Sequence, residues 1–233
     1  MRTKKSRAFV LVAVAGLMAV TAASAYAALI EGTDGDDQLM GTPESDLILA
    51  KAGNDGVVAA QGNDGVDAGD GNDSVLGNQG RDNISGGLGD DVLDAGRGRD
   101  IVFGQDGNDT VLGRQGSDEV RGRNGDDIVR GGRGSDVVFA GIGVDTTFGG
   151  PGRDLMFALA KADAANPGGD TLFGGRGNDV FRISDGEADR VDCGRGRHDR
   201  AIVDPGDLDQ VVNCERVVPR PPRTEQDDEE VDS

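Results

Sequence analysis

Residues 86–112 read GGLGDDVLD-AGRGRDIVF-GQDGNDTVL, three consecutive nine-residue units with glycine, aspartate and aliphatic residues at fixed places. The same register begins at Gly32 and runs without a gap through fourteen units to Phe157. Self-similarity at a short fixed period is typical of solenoids, in which each repeat buries its apolar side chains only by stacking on its neighbours. We therefore expect a single repetitive domain.

Four columns of the repeat carry the pattern. The sixth position is Asp in all fourteen units, the fourth is Gly in thirteen, the first is always Gly or Ala, and the eighth is aliphatic except at Thr147. Glycine at the fourth position indicates a left-handed backbone or a close approach. The last three residues of each unit predict a very short strand whose eighth side chain points inward.

Two further features point to chemistry in the loops. The fifth position is Asn, Asp or Ser in ten units, and these residue types tolerate turns and bond their own backbone. An invariant Asp beside carbonyls that glycine leaves accessible is an all-oxygen environment. Such an environment suits a hard cation such as calcium.

The pattern resembles the RTX, or haemolysin-type, calcium-binding nonapeptide family, whose unit is Gly-Gly-x-Gly-x-Asp-x-apolar-x. Residues 86–94 and 174–182 match that unit in full. The resemblance implies an all-β fold, a right-handed parallel β-roll in which two units make one turn. It also implies that the first six residues of each unit form a bend, with calcium held between stacked bends by the sixth-position Asp and by loop carbonyls.

Loops 18 residues apart share an edge of such a roll, so the candidate metal ligands fall into two columns. One column is Asp37, Asp55, Asp73, Asp91, Asp109, Asp127 and Asp145, and the other is Asp46, Asp64, Asp82, Asp100, Asp118, Asp136 and Asp154. Two later units add Asp170 and Asp179. Coils about 4.8 Å apart would bring the carboxylates into repulsion, and one calcium per gap, about twelve ions in all, removes it. The alternative is a metal-free solenoid in which the aspartates bond loop amides.

Some units depart from the family pattern. The second position is Gly in only six of the fourteen units, and Arg81, Arg99 and Arg153 occupy the fifth position. We expect these arginine loops, and the loop at 42–44, to bind calcium weakly or to replace the ion with an Arg–Asp pair.

The N-terminal segment, residues 1–27, predicts a signal peptide. Four basic residues precede an apolar run at 8–20 that is too short to span a bilayer, and small residues follow it. Cleavage is expected after Ala27 or Ala25, with an uncleaved anchor as the alternative. We expect a secreted or cell-surface protein with no membrane span after cleavage.

The C-terminal part predicts a cap on the solenoid. The roll is expected over 28–182 with an insertion at 158–164, followed by degraded repeats and a cap at 183–218 and a disordered acidic tail at 219–233. In an exported protein, the two cysteines Cys193 and Cys214 most simply form a disulfide that staples this cap.

Composition narrows the function classes. Glycine is 40 of 233 residues and Trp is absent, so we do not expect a conventional globular enzyme core. The net charge of -19 repels phosphate, so we do not expect nucleic-acid binding. The sole histidine, His198, is interpreted as a loop residue, and no nucleophile has a histidine at a recognisable spacing. We expect a secreted calcium-binding protein with a structural or cell-surface role and no enzymatic activity. The alternatives are a solenoid-based polysaccharide lyase or epimerase, which needs a carboxylate cleft outside the loops, and an adhesion or ice-binding module, which needs a threonine ladder. Besides calcium, the partner classes that suit this role are a cell-surface component and a polysaccharide.

The phenylalanines follow the repeat as well. Phe103, Phe139, Phe148, Phe157 and Phe173 all occupy the ninth position, beside the inward eighth residue, so we expect them to point outward. Phe139 and Phe157 are one turn apart and should stack. The resulting strip is either covered by the insertion or the C-terminal segment, or it is a partner-binding patch.

Overall fold

A computed structural model of the chain describes residues 28–158, 169–183, 186–203 and 209–219. In these ranges the chain forms parallel β-strands that alternate between two sheets, and it contains no helix. Odd-numbered strands form the first sheet and even-numbered strands the second. The expected all-β, parallel β-roll is therefore confirmed.

The strands of the first sheet are β1 (Leu29–Glu31), β3 (Leu47–Leu49), β5 (Gly65–Asp70), β7 (Asn83–Leu88), β9 (Ile101–Asp106), β11 (Glu119–Asn124), β13 (Val137–Ile142), β15 (Leu155–Phe157), β17 (Val180–Arg182), β19 (Arg200–Val203) and β21 (Arg216–Pro219). Those of the second sheet are β2 (Gln38–Met40), β4 (Gly56–Val58), β6 (Ser74–Gln79), β8 (Val92–Arg97), β10 (Thr110–Gln115), β12 (Ile128–Arg133), β14 (Thr146–Gly152), β16 (Thr171–Gly177), β18 (Arg190–Asp192) and β20 (Gln210–Val212).

The register of the sheets equals two repeat units. Ile84 pairs with Val102, and Val102 is flanked on its other side by Val120, so equivalent residues 18 apart stack directly. Parallel pairing with an 18-residue offset requires that each coil contributes one strand to each sheet. The sixth-position loops therefore alternate between the two edges of the roll.

The strands in the middle of the roll are longer than the sequence pattern predicts. From β5 to β13 each strand continues past the ninth position into the first three residues of the next unit. The backbone of these three residues also pairs between coils, as Gly69 does with Gly87. The loop proper is therefore only about half as long as the six-residue bend that the resemblance implied.

The core of the roll is narrow and almost entirely aliphatic. Eighth-position side chains such as Val75, Leu93 and Val102 are fully buried, and buried first-position alanines such as Ala95 lie beside them. Thr147, the exception among the eighth-position residues, is buried in the same column. Near the C-terminal end, Phe181 is the largest fully buried side chain.

Two columns of the repeat have a left-handed backbone. Gly71, at the fourth position, has a φ of 136°, and a β-carbon there would collide with the Gly53 carbonyl of the preceding coil. This explains the fourth-position glycine. The second position is also left-handed from Lys51 onward, although several of its residues are not glycine. Those with positive φ are Lys51, Ala60, Asn78, Gln105, Arg114 and Arg123.

The outward phenylalanines stack as expected. The rings of Phe139 and Phe157 lie 4.5 Å apart between centroids, and those of Phe148 and Phe173 lie 5.0 Å apart. The Arg121 guanidinium lies 4.2 Å from the Phe139 centroid and extends this stack toward the N-terminal end. Of the insertion expected at 158–164, only Ala158, which is buried, belongs to the described residues.

The C-terminal segment, stapled by the expected disulfide, is built from further coils of the roll. Strands β18 to β21 extend the same two sheets beyond the insertion. The Cα atoms of Cys193 and Cys214 are 5.2 Å apart, and the disulfide joins two consecutive coils. The predicted signal peptide at 1–27 and the tail beyond Pro219 lie outside the described residues.

Candidate metal-binding loops

The predicted ligand residues occupy equivalent places in the fold. All sixteen aspartates named from the sequence, including Asp170 and Asp179, are buried, although they lie in loops. Because each coil contributes one loop to each edge, they form the two expected columns. The 25-residue spacing across the insertion leaves both columns continuous, since the Asp145 N–H reaches Asp170 and the Asp154 N–H reaches Asp179.

From Asp46 onward, one carboxylate oxygen of each aspartate accepts a backbone N–H of the preceding coil. The backbone N–H of Asp73 donates to Oδ1 of Asp91 at 2.8 Å, and the N–H of Asp91 donates to Oδ1 of Asp109 at 2.8 Å. On the other edge, the N–H of Asp82 donates to Oδ1 of Asp100 at 2.9 Å. The side chains thus form a hydrogen-bonded ladder along each edge.

The second carboxylate oxygen has no such partner in most of these loops. The Oδ2 atoms that are buried and accept no hydrogen bond include those of Asp55, Asp64, Asp73, Asp82, Asp91, Asp100, Asp109, Asp118, Asp127, Asp136, Asp154 and Asp179. A buried carboxylate oxygen without a partner is costly, and a row of them is normally compensated by a cation or by protonation.

In the units whose first position is glycine, the missing β-carbon leaves space beside this oxygen. A β-carbon built on Gly86 would overlap Oδ2 of Asp91 and lie 2.6 Å from the carbonyl oxygen of Gly104, in the next coil. The same relation recurs one coil later, with Oδ2 of Asp109 beside Gly104 and the Gly122 carbonyl 2.7 Å from the built β-carbon. Carboxylate and carbonyl oxygens from neighbouring coils therefore face one small space.

The chemistry of this donor set fits calcium. The atoms that face the space are oxygens, from carboxylates and backbone carbonyls, and this is the ligand set that calcium prefers. No group of three or more His, Cys, Asp or Glu side chains within the described ranges is arranged to hold a metal ion. A calcium site in these loops would therefore depend on backbone carbonyls for a large part of its coordination.

The first two loops satisfy their aspartates differently. Thr33 donates from its backbone N–H and its hydroxyl, the latter at 2.8 Å, to Oδ2 of Asp37. Thr42 does the same for Oδ2 of Asp46, at 2.6 and 3.0 Å. These threonines occupy the second position, which is left-handed in the later units. Oδ2 of Asp37 and Oδ2 of Asp46 therefore already have hydrogen-bond donors, unlike Oδ2 in most later loops.

The fifth-position residues bond a neighbouring coil, whereas the sequence pattern suggested their own backbone. The Asn72 N–H donates to the Asn54 side-chain oxygen at 3.0 Å, and the Asn108 N–H donates to Oδ1 of Asp90 at 2.8 Å. Asn, Asp and Ser are favoured because a short side-chain oxygen reaches the loop above. Where arginine takes this place, as at Arg81, this ladder is interrupted.

The expected Arg–Asp replacement is not formed in the arginine loops. In the described ranges Arg81, Arg99 and Arg153 are exposed and make no ion pair with the aspartate of their own loop. Oδ2 of Asp82, Asp100 and Asp154 remains without a hydrogen bond. These loops therefore keep the same buried carboxylate oxygen as the loops with Asn or Asp.

Burial raises the pKa of the ladder carboxyls. Loss of hydration is the largest cause, the backbone hydrogen bond from the preceding coil opposes it, and neighbouring carboxylates often raise the pKa further. The pKa of Asp127 rises to about 8, and those of Asp91, Asp118 and Asp154 rise to about 7. The pKa values of Asp55, Asp82, Asp109, Asp136 and Asp179 rise to about 6. Without a metal, these carboxyls therefore take up protons at a higher pH in the folded roll than an exposed aspartate does.

Both ladders extend past the sixteen candidate ligands into the degraded repeats expected around Asp189 and Asp199. Asp189 and Asp199 are buried in the same columns, and the Asp189 N–H donates to Oδ1 of Asp209 at 3.2 Å. On the other edge the Asp199 N–H donates to Glu215 Oε2 at 2.7 Å. The glycines are mostly lost here. The signal that persists is an acidic residue two positions before a small apolar one, as in Asp209 and Val211.

Two other features bear on the function classes. His198 is exposed in the loop before β19, as expected of a loop residue. Among the residues that the structure describes, no helix has the length and apolar character needed to cross a membrane.

Comparison with known families agrees with the geometry of the loops. The model of the RTX calcium-binding nonapeptide repeat, in four copies, matches residues 31–66, 67–102, 85–120, 121–156 and 165–182. A comparison with curated proteins returned no match. The family match covers more than half of the chain and spans the part in which the aspartate ladders are most regular. This chain therefore belongs to the RTX calcium-binding nonapeptide repeat family and is a calcium-binding repeat protein.

Proposed function

We propose that this protein is exported, folds when calcium fills its loops, and serves as a structural or cell-surface component. Its sixth-position aspartates, from Asp55 to Asp179, are the proposed calcium ligands, with loop carbonyls completing the coordination. The observation that carries the proposal is the row of buried Oδ2 atoms without hydrogen-bond partners.

The energetic argument concerns the metal-free chain. Each ladder carboxylate must leave water, and its Oδ2 atom gains no protein partner in return, so the ionised roll is destabilised at every coil. The core of short aliphatic side chains has little apolar area with which to offset that penalty. Calcium adds two positive charges between carboxylates and supplies the missing interaction. Binding free energy then becomes folding free energy.

Export is supported by two independent features. The leader at 1–27 has the composition of a signal peptide. The Cys193–Cys214 disulfide is a bond that persists in oxidising compartments and is rare in the cytosol. Millimolar calcium outside cells also matches the affinities of extracellular calcium modules, about 10⁻⁴–10⁻³ M.

The proposal that this protein is not an enzyme rests on the same carboxylates. Most acidic side chains at the loop positions belong to the ladders, and RTX rolls are typically structural. An ice-binding module needs a continuous threonine ladder, and the described part of the second sheet has none. Its seventh-position column places Thr110, Ile128 and Thr146 side by side, and Thr147 points into the core.

A calcium titration of the mature chain tests the proposal. At pH 8, we expect far-ultraviolet circular dichroism to report a largely disordered chain in chelator and a parallel-β signal in calcium. Magnesium should fail to replace calcium, because its smaller octahedral shell loses water reluctantly. A full β signal in chelator at pH 8, unchanged by calcium, would contradict folding on calcium binding.

A matched set of variants separates ligand loss from general damage. Asp91→Asn and Asp118→Asn each remove one ladder charge, whereas Asp67→Asn removes an exposed ninth-position charge that lies outside the ladders. We expect the first two variants to shift the calcium midpoint upward and the third to leave it unchanged.

A further inference from the structure

The exposed charges of the loops are segregated between the two edges of the roll. One edge consists of the loops that lead from strands of the second sheet to strands of the first. Its exposed third- and fifth-position residues include many arginines. Glu44, near the N-terminal end, is an acidic residue of these loops outside the aspartate ladder. We call these arginines the arginine ridge. It consists of Arg81, Arg97, Arg99, Arg133, Arg153, Arg176, Arg195 and Arg197.

The opposite edge is acidic at the equivalent positions. Asp34, Asp70 and Asp106 occupy its third positions, and Asp90 and Asp126 occupy fifth positions. A chain with a net charge of -19 would be expected to expose carboxylates on both edges. The ridge is therefore a local reversal of the overall charge.

The sheet register sets the spacing of the ridge. Arg97 and Arg133 both pair with Gln115, which lies between them, and Arg176 pairs with both Pro151 and Arg195. Neighbouring strands lie about 4.8 Å apart, so Arg97 and Arg133 are separated by about 10 Å along a straight line. The ridge is thus a linear row of guanidinium groups parallel to the axis of the roll.

These guanidinium groups are available for an external ligand. Arg97, Arg133 and Arg176 are exposed and form no ion pair in the part of the chain that the structure describes. Arg114 differs, because it bonds Asp94 at 2.6 Å on the face of the second sheet. Between the arginines, neutral donors such as Gln79 and Gln115 continue the row.

We propose that the arginine ridge binds a linear acidic polysaccharide, one that carries carboxylate or sulfate groups along its chain. Guanidinium groups form paired, charge-assisted hydrogen bonds with such groups, and the interspersed amides suit sugar hydroxyls. A rigid row of donors repeated along an axis matches a polymer with a regular repeat. This inference names a partner for the proposed surface role. It rests on the proposed function in one respect, which is that the roll is folded in calcium.

Two other occupants fit the ridge less well. Binding of single-stranded nucleic acid relies on aromatic side chains that stack on bases. Among the described residues between 43 and 197, no aromatic side chain occupies a third or fifth position in the loops of this edge, the positions of Arg97 and Arg99. A second copy of this chain could offer its acidic edge. There, however, Asp90 and Asp126 already use Oδ1 to accept a backbone N–H of the next coil.

The test measures binding of the calcium-loaded protein to immobilised chondroitin sulfate, with neutral dextran and a single-stranded oligonucleotide as comparison ligands. We expect binding to chondroitin sulfate that weakens with salt, and little binding to the other two. In Arg97→Gln with Arg133→Gln, affinity should fall about tenfold, because two charge-assisted contacts are lost.

The matched control removes two exposed arginines elsewhere, by Arg123→Gln with Arg216→Gln on the first sheet. It changes the net charge equally and should retain affinity within about twofold. Circular dichroism in calcium confirms that both variants are folded. Three results would each overturn the proposal. The first is equal weakening in both double variants, and the second is tighter binding to the oligonucleotide than to chondroitin sulfate. The third is loss of self-association, measured by sedimentation, as the only effect of the ridge variant. Calcium-independent folding would contradict the proposed function alone, because polymer binding could still be measured.

Discussion

The backbone N–H of Asp91 donates a hydrogen bond to Oδ1 of Asp109 at 2.8 Å. Along each ladder, Oδ1 of an aspartate accepts such a bond from the loop one coil before it. The carboxylate therefore has two separate roles. Oδ1 fixes the distance between coils, and Oδ2 remains available to a cation. Because every loop depends on the next one, disturbance of a single aspartate should propagate along its own edge.

The first prediction compares two aspartates with different surroundings. Asp109→Asn should remove about one calcium ion and weaken the neighbouring sites, because an amide nitrogen or oxygen cannot replace the charge at Oδ2. Asp46→Asn should leave the ion count unchanged, since both oxygens of Asp46 already accept hydrogen bonds from Thr42 and Ala28. Isothermal titration calorimetry gives both stoichiometries. Equal losses would contradict this difference between loops.

The second prediction concerns pH in the absence of calcium. The folded pKa of Asp127 is raised to about 8 and that of Asp91 to about 7, above the ordinary value of 3.8. Between these values the folded roll binds more protons than the unfolded chain, so its stability is highest at low pH and is lost as pH rises through about 6 to 8. In chelator, we expect β signal at pH 5 that disappears toward pH 9.

Calcium should reverse this dependence. Protons compete with calcium for the same carboxylates, so the calcium midpoint should rise as the pH falls. A matched titration with Asp67→Asn should follow the same curve, because Asp67 is exposed and lies outside the ladders. If the metal-free β signal instead weakened on acidification, the ladder carboxyls would not control it.

The columns of the roll could be predicted from the sequence because each coil repeats the same local rule. The invariant Asp, the aliphatic eighth position and the 18-residue offset are periodic properties, and periodicity alone places Asp91 and Asp109 on one edge. The hydrogen-bond partner of each group could not be predicted in the same way. The bond from Asn108 to Asp90 joins residues 18 apart, and only the stacking of the coils distinguishes it from a local turn.

The C-terminal end was harder to predict for a related reason. Loss of glycine around Asp199 hides the repeat, although the fold depends on the buried acidic residue and the apolar residue two places later. Pairing of coils tolerates loops of different length, as the 20-residue step from Asp179 to Asp199 shows. A strict nine-residue register therefore ends before the roll does.

The third prediction tests the left-handed second position. Ala60 has a φ of 85°, which costs an L-residue roughly 1–2 kcal/mol, so Ala60→Gly should stabilise the calcium-loaded roll by about 0.5–1 kcal/mol after the greater entropy of unfolded glycine is subtracted. The adjacent Ala59 is buried with its methyl group in the core. Ala59→Gly should therefore destabilise by about 1–2 kcal/mol. Urea unfolding at fixed calcium measures both, and the same sign for the two variants would refute the assignment.

The fourth prediction concerns the one polar residue in the eighth-position column. Thr147 is fully buried and its hydroxyl accepts and donates no hydrogen bond. Thr147→Val keeps the shape and removes the unsatisfied group, so the free energy of unfolding should rise by about 1–2 kcal/mol. The reciprocal variant is Val129→Thr, one coil earlier in the same column, and it should destabilise by a similar amount. Thermal unfolding in saturating calcium compares them, and a neutral Thr147→Val would point to a partner for the hydroxyl.

The last prediction concerns the disulfide, which joins the coil containing Cys193 to the coil containing Cys214 at the C-terminal end of the roll. The Cys193 N–H also donates to the Val212 carbonyl at 3.1 Å, so the bond reinforces a backbone contact between the last coils. A loop closed over 21 residues is worth roughly 3 kcal/mol in the chain-entropy model. Cys193→Ser with Cys214→Ser should therefore loosen β18 to β21 first. Coils near Asp73 should be spared, because contacts in a solenoid are local. Hydrogen exchange resolved along the chain should show protection lost from the C-terminal end inward, with wild type under reducing conditions giving the same gradient. A uniform loss of protection, or free thiols in freshly secreted protein, would show that the disulfide does not act as a local staple.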